Sequence, residues 1–485
     1  MKRNLILLCT LLCTSMATHA VQVWDGASAE IWTKGTGTES DPYLIETPAN
    51  LKYLTNQVNA GNVYADTYFL QIEDLDLNSK SCSMDKTFSG NYDGGNHQIL
   101  NVRSFLFYTI QSATIQNLTI AGNITCPLVY QVNGNATLTN CHNKSTAEIT
   151  NGGAGLISQA QSGRVTLTKC SNRATITSYI SRTGYKEIYT GGLITKADTI
   201  IMRNCHNFGD LIPTIRANYV SGYFNTGGLV SYANYIDIFQ SSNVANISYK
   251  DKGGPDSHIY SSTAAGIALT GKGIITQCFS KSSNIEYGIC GSNYVICTEC
   301  YATNSAPSPK SFYPQFRNQA TFFNMANIAY YCHSTNVYYN GKIFSSNISE
   351  TRIDVSGSKT TTELKSPSFL SLLNADGDYF CPDYTNINNG YPILRWQLGD
   401  TPFYTIRGIC KAEQGTVSGA GEYPQGAQVK LTATPKDNYA FIGWSDGNTD
   451  NPRTISVDKA ATYVAQFDRL SYTVYVNQDC SITVE

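Results

Sequence analysis

Residues 191–213 read GGLITKADTIIMRNCHNFGDLIP. The stretch holds three short β-like runs, Gly192–Thr195, Thr199–Asn204 and Asp210–Pro213. Gly, Asn and Asp divide them, and these residues favour turns. None of the runs has the 3.6-residue period of a helix. Two signatures frame the stretch: Gly191-Gly192-Leu193 at its start and Cys205-His206-Asn207 in its middle.

Both signatures recur. The apolar residue after the glycines is Leu156, Leu193, Leu229 and then Ile267, at steps of 37, 36 and 38. The second signature is Cys170-Ser171-Asn172, Cys205-His206-Asn207, Ser241-Ser242-Asn243 and Cys278-Phe279-Ser280, at steps of 35, 36 and 37, with an earlier copy at Cys141-His142-Asn143. A further apolar residue follows at Ile176, Leu211/Ile212, Ile247 and Ile285. Three strands per unit at a fixed period describe an all-β fold, a parallel β-helix whose coils pair at about 4.8 Å. One coil cannot bury its own apolar side chains, so the stack shares one core. Cys141, Cys170, Cys205 and Cys278 then form an inward ladder of small buried thiols. Ser241 in that column points to a slot for small residues rather than to a disulfide. The Asn two residues on caps the turn with its side-chain amide.

The ends of such a stack need covers, because open strand edges invite aggregation. Thr47 as N-cap and Pro48 at the first helical position start a helix with Leu51, Leu54 and Val58 on one face and Gly61 past its end. Ser366-Pro367 starts a second, with Phe369, Leu370 and Leu373 apolar and Asn374 near its end.

The chain has 485 residues, 34 Lys+Arg, 36 Asp+Glu and 33 Tyr. A charged fraction of 14% lies below the roughly 25% of an average domain. A net charge of -2 leaves no basic footprint for nucleic acid and no charge repulsion to enforce disorder. Lys2, Arg3, the apolar run Leu5–Leu12 and Thr18-His19-Ala20 predict a secretory signal peptide over 1–20, cleaved after Ala20. Leu8 and Leu12 precede Cys9 and Cys13, which is not a lipoprotein pattern, and no later run of 18 apolar residues predicts a membrane helix. The expected location is secreted or on the outer cell surface.

Several segments resemble bacterial GLUG-repeat surface proteins. They are Gly35–Tyr43, Leu75-Asp76-Leu77, Phe88–His97, Ala113–Ile120, the Gly-Gly-Leu units and Asn389–Trp396. The resemblance covers residues 22–400 and implies a right-handed β-helix at the cell surface; it carries no active site. Residues 403–468 resemble the divergent internalin-type B-repeat, on Gly415–Val417, Gly426–Val429, Leu431–Pro435, Phe441–Asp446 and Val464–Phe467, with Trp444 and Phe467 as core anchors. Tyr472-Thr473-Val474 echoes Tyr404-Thr405-Ile406 and reads as the start of an incomplete second copy. The expected organisation is a signal peptide (1–20), an N-terminal cap with first coils (21–125), the β-helix with a C-terminal cap (126–400) and the β-rich module (401–485).

Catalysis on such a scaffold requires convergent acids. Between Gly152 and Cys300 the acids are Glu187, Asp198, Asp210, Asp237, Asp251, Asp256, Glu286 and Glu299, and they do not recur at matched positions. No catalytic residue, cofactor or metal site is predicted. Cys297-Thr-Glu-Cys300 lacks the second pair of a zinc knuckle. His97 reads as a turn residue, Asp74 and Asp76 as turn and cap acceptors, and His142 and His206 as pointing outward beside the ladder. The segments 178–190, 214–226 and 249–263 read as loops at a constant place in each unit, carrying Tyr179, Tyr185, Tyr189, Tyr219, Tyr223, Tyr249 and Tyr260. Loops stacked on one edge of a repeat protein form its binding face. The expected function is non-catalytic binding or adhesion to a glycan or to a host or bacterial surface protein. The alternatives are a polysaccharide-active lyase or glycosidase on the same scaffold, and a structural spacer.

Overall fold

The computed structural model describes residues 21–180, 184–216, 220–252, 258–282, 289–291, 294–298, 300–303, 334–335, 338–340, 358–374, 377–399, 401–471, 474–476 and 482–484. The signal peptide expected over 1–20 lies outside them, as do Ile285, Glu286 and Tyr219. The chain divides into two compact units, Met1–Leu364 and Lys365–Glu485. Both are β-rich, and the first is built from parallel sheets.

In the first unit each strand pairs with its counterpart one repeat away. One parallel sheet runs through Gln98–Leu100, Thr119–Gly122, His142–Ser145, Ser171–Asn172, His206–Asn207, Ser242–Asn243 and Phe279–Ser280. A second has two branches. Phe107–Ile110, Val129–Asn133 and Ile157–Ser162 form one, and Ala113–Gln116, Ala136–Thr139 and Arg164–Thr168 the other. Both branches meet on the single strand Ile194–Arg203, which pairs onward with Val230–Phe239. The runs Gly192–Thr195 and Thr199–Asn204 of the opening stretch are therefore largely one ten-residue strand.

A sharp corner separates the two sheets, and its chemistry is local. The residue before each column position from Leu118 to Cys278 adopts a left-handed backbone: Asn117 (φ 51°), Asn140 (53°), Lys169 (53°), Asn204 (56°), Gln240 (46°) and Gln277 (51°). Asn tolerates this region best among non-glycine residues. The turn throws the next side chain inward. Leu118, Cys141, Cys170, Cys205, Ser241, Cys278 and Cys300 follow one another rung by rung, all fully buried. Each column carbonyl accepts the next rung's amide, as in Ser171 N to Cys141 O (3.1 Å), His206 N to Cys170 O (2.9 Å) and Ser242 N to Cys205 O (2.9 Å). Ser241 fits because its Oγ donates to Phe239 O at 3.0 Å.

Two residues on, Asn143, Asn172, Asn207 and Asn243 form a second buried column. The Nδ2 of Asn172 donates to Asn207 Oδ1 (2.9 Å), that of Asn207 to Asn243 Oδ1 (3.0 Å) and that of Asn243 to Ser282 Oγ (2.7 Å). Each amide also closes its own turn, as Asn172 does with Ala174 N and O. An unmet buried amide would cost about 1–3 kcal/mol, so the column is stabilising only because it is closed. The glycines of the first signature face this column. A Cβ on Gly155, Gly192 or Gly228 would lie 2.4, 2.5 or 2.3 Å from an atom of Asn172, Asn207 or Asn243. The two sequence signatures are the two sides of one contact.

Leu156, Leu193, Leu229 and Ile267 stack by backbone bonds of 2.8–3.2 Å, and Ile149, Ile176, Leu211 and Ile247 by parallel bridges. At the N-terminal end Thr47 Oγ1 accepts from Asn50 N (3.1 Å), Pro48 opens the helix Pro48–Asn59, and Leu51, Leu54 and Val58 are fully buried. Gly61 follows with φ 110°.

The segments expected to be loops are strands instead. Gly184–Gly191, Val220–Gly227 and His258–Ala265 form one three-stranded parallel sheet, and Tyr179–Ile180, Thr214–Ile215 and Lys250–Asp251 another. Each of these three repeats thus extends a two-stranded arm, and the arms stack on one another in parallel, with one shift of register after Gly222. A small core of Ile215 and Phe224, covered by Ile188, Tyr249 and Ile259, holds them together. Their sequences alternate poorly because this core is shallow.

In the second unit Ser366 caps the helix Pro367–Leu373, accepting from Phe369 N at 3.2 Å. Phe403–Ile409 pairs with Gly421–Pro424 and Ala461–Arg469, while Gln428–Pro435 lies between Gly415–Ser418 and Arg453–Ser456. Trp444, Phe467, Leu431, Val429 and Ile406 make the core, as the sequence predicts for the first two.

A candidate binding groove beside the arms

The first arm and the parallel strands beside it line an open groove of about 410 Å³. Its lining includes Tyr130, Asn151, Ser158, Gln159, Tyr179, Glu187 and Tyr189. Strands Val129–Asn133 and Ile157–Ser162 supply the floor, and Tyr179–Ile180 with Gly184–Gly191 the wall. Gly152 and Gly153 turn the chain between them at φ 88° and 66°. A Cβ on Gly152 would lie 2.1 Å from Ser158 Oγ, so only glycine leaves the floor open there. At the base of the arm, Thr190 Oγ1 donates to Ser178 Oγ at 2.9 Å and ties its two strands together.

The walls are aromatic with charged tips. Tyr189 Oη donates to Glu187 Oε2 at 2.5 Å, and Lys196 Nζ lies 3.5 Å from the centre of the same ring. Burial, and then the Glu187 carboxylate beside it, push the Tyr189 hydroxyl up to about 12. The Arg216 guanidinium lies 3.2 Å from the centre of the Tyr179 ring and also bonds its hydroxyl. Glu148 accepts from Thr177 Oγ1 at 3.2 Å nearby. Ser158 is 3% exposed, and its hydroxyl has no hydrogen-bond partner among the described residues. A buried hydroxyl without a partner costs free energy, so this position of the floor is held at some loss of stability.

Of the tyrosines that the sequence singles out, Tyr179 and Tyr189 line this groove. Tyr223 is exposed on the next arm beside Glu187 in the register. Tyr249 stacks on Phe224 at 5.5 Å within the arm core and is a packing residue. Backbone register places Tyr185 beside Ser221, and Tyr260 falls in the third arm strand. Tyr130, Ser158, Gln159 and Lys196 escape a reading of the repeat loops, because they belong to coil strands. Their signal is weak: each sits next to a buried residue in a run that is not cleanly alternating.

The other candidate residues resolve into structural contacts. His97 Nδ1 lies 3.1 Å from Asp74 Oδ1, which also accepts from Gln98 N (2.9 Å). Asp76 accepts from Asn78 N (2.7 Å) and Asn101 Nδ2 (2.9 Å). His142 bonds Ser171 Oγ at 2.8 Å and Asn140 Oδ1 at 2.9 Å. His206 leaves the ladder core as alternation requires, but it is only 1% exposed, bonded to Ser242 and packed 3.7 Å from Phe208. Outward from the coil is not outward to water, because Phe208 covers it. Cys300 continues the thiol column, whereas Cys297 sits in register with Ile275, so the pair serves two different columns. No group of three or more His, Cys, Asp or Glu that could hold a metal ion occurs among the described residues. No helix among them is long and apolar enough to cross a membrane.

A second cleft, of about 540 Å³, lies against Tyr68, Asn91, Asp93, Thr114 and Gln116, with Glu39 at its edge. Asp93 is already engaged there by Gln116 Nε2 (2.7 Å), Asn117 Nδ2 (3.0 Å) and Gly95 N (2.8 Å).

Residues 408–471 match the family model of the divergent InlB B-repeat domain, as expected from the sequence of 403–468. That family is typical of surface and secreted bacterial proteins. No curated protein matches the chain. Among solved structures, a candidate immunoglobulin A1 protease from Bacteroides ovatus is similar at a TM-score of 0.37 and 13% identity, over 75% of this chain and 95% of that one.

Proposed function

We propose that the chain is an exported bacterial binding protein without catalytic activity. In this reading its first unit is a right-handed β-helix of the GLUG-repeat type, and the groove beside the arms engages a glycan at the cell surface. The parallel ladders, each strand paired one repeat on, support the β-helix. The B-repeat match at 408–471 supports the surface location. The glycan reading is carried by one observation: three tyrosines line the groove, Tyr130 from its floor strand and Tyr179 and Tyr189 from its wall. Tyrosine offers a flat apolar face with a polar tip at low entropic cost, which suits a sugar ring.

The test is a glycan array probed with the mature protein and with the Tyr179→Ala/Tyr189→Ala variant. Binding that the variant loses supports the reading, and binding that it keeps moves the site elsewhere. Capture of a surface protein but no glycan would favour a protein partner. The polysaccharide-active alternative rests on the second cleft, where Glu39 and Asp93 are the acids. A screen of polysaccharides for depolymerisation decides it: released oligosaccharides that Glu39→Gln abolishes would replace binding with catalysis.

A further inference from the structure

The groove does not end at its own walls. Tyr130 on its floor stacks on Tyr108 of the preceding rung at 4.6 Å and 27°, and Phe105 meets both rings edge-on at 5.0 and 6.1 Å. On the other side Tyr189 meets Tyr232 edge-on at 6.2 Å. Tyr108 and Tyr232 are 39% and 36% exposed. A register row runs beside Tyr108 and Tyr130, one residue further along their strands, and ends on Tyr232. Thr109, Gln131, Gln159, Lys196 and Tyr232 are consecutive partners across five rungs. Gln159 and Gln161 both reach Gln131 Oε1, at 3.5 and 3.3 Å. Tyr232 Oη donates to Asn234 Oδ1 (3.1 Å), whose amide holds Asp198 (2.9 Å), so the ring is fixed in place.

We infer that the ligand is the interior of an extended polysaccharide chain, lying along the direction in which the rungs stack, rather than a terminal sugar or a short headgroup. This rests on the glycan reading above. Four steps of about 4.8 Å separate the first rung of the row from the last, a span of roughly 19 Å. Tyr108 beside the first rung and Tyr232 on the last, with the Gln131 and Gln159 amides and the Lys196 ammonium between them, give stacking and hydrogen-bonding positions over that span. A mono- or disaccharide fits within the groove and leaves Tyr108 and Tyr232 untouched, whereas a chain of several units reaches both.

The experiment titrates the mature protein with neutral and acidic oligosaccharides from plant, microbial and mucin glycans, each series running from disaccharide to octasaccharide. Affinity within the binding series rises with length until the row is covered, by about ten-fold or more from the shortest to the longest member. Tyr108→Ala and Tyr232→Ala each lower octasaccharide affinity several-fold and leave disaccharide affinity unchanged. Tyr235→Ala, a change at a 43% exposed tyrosine outside the row, alters neither. Thermal melting establishes that all three variants fold. Equal affinity at every length, or equal loss of short and long ligands in Tyr108→Ala, overturns the extended-chain inference and leaves the groove standing. No binding in any series removes the glycan reading as well.

Discussion

Gly192 and Asn207 occupy one space. A Cβ on Gly192 would sit 2.5 Å from Asn207 Cγ, and 2.0 Å from Gly228 O on the next rung. Gly192→Ala therefore displaces backbone and a fully bonded amide together, and a loss of about 2–4 kcal/mol is expected. Asn207→Ala removes one of the two acceptors of the Asn172 amide and also destabilises. Because the residues touch, their effects are coupled, and a double-mutant cycle read by urea unfolding returns an interaction of about 0.5–3 kcal/mol. Strict additivity would show that the contact does not set the cost.

The thiol column tolerates oxygen but not bulk. Ser241 already occupies one rung with its hydroxyl bonded to Phe239 O. Cys170→Ser should cost about 1 kcal/mol or less in thermal unfolding, while Cys170→Phe should cost several times more by overpacking. Burial pushes the Cys141 and Cys205 thiols up, so a thiol reagent should label them only after denaturant is added. Rapid labelling of either in the native protein would contradict a closed core.

His206 is held neutral, its pKa driven down by burial to about 3. The unfolded chain has an ordinary histidine near 6.5. Between those values the unfolded state binds the extra proton, so stability is full above pH 6.5, falls as pH drops below it and levels off near 3. By pH 5 the loss from this residue is on the order of 2 kcal/mol. His206→Gln should remove that part of the slope in unfolding measured from pH 4 to 7; an unchanged slope would place the histidine in water.

Two tyrosines of similar sequence context should behave differently. Tyr179→Ala removes a groove wall and lowers glycan binding with little effect on melting temperature. Tyr249→Ala strips the cover from Phe224 and lowers the melting temperature instead. A binding assay beside a melting curve separates the two, and the reverse pattern would exchange their roles.

In the second unit Arg453 bridges Asp446 at 2.7 and 2.9 Å and lies 4.5 Å from the Tyr463 ring, beside Trp444. Trp444 Nε1 donates to Asp450 O at 2.9 Å. Trp444→Ala should cost about 3–5 kcal/mol, visible as loss of the transition of this unit in calorimetry. Retention of that transition would show that its core lies elsewhere.

The sequence made the columns readable because each is one kind of small side chain recurring at a nearly constant step: Cys170, Cys205, Ser241 and Cys278, then Asn172, Asn207 and Asn243. The capping helix was readable from Thr47, Pro48 and Gly61 at its ends and from the apolar face of Leu51, Leu54 and Val58. The arms were not, since Val220–Gly227 gains its strand form from neighbours 36 residues away rather than from its own alternation. For the groove, Tyr179 and Tyr189 announce themselves by type. Ser158 and Lys196 do not, because only the register across rungs brings them beside those rings.

The hand-over of one amide to the next, Asn172 to Asn207 and Asn207 to Asn243, is the same at both joints. A joint that is identical on both sides does not record which repeat it belongs to. Duplication or loss of one whole repeat by recombination would leave each buried column closed, while a change of a few residues would open all of them. Copy number is thus the dimension along which such a stack can change at least cost, and its length changes with it.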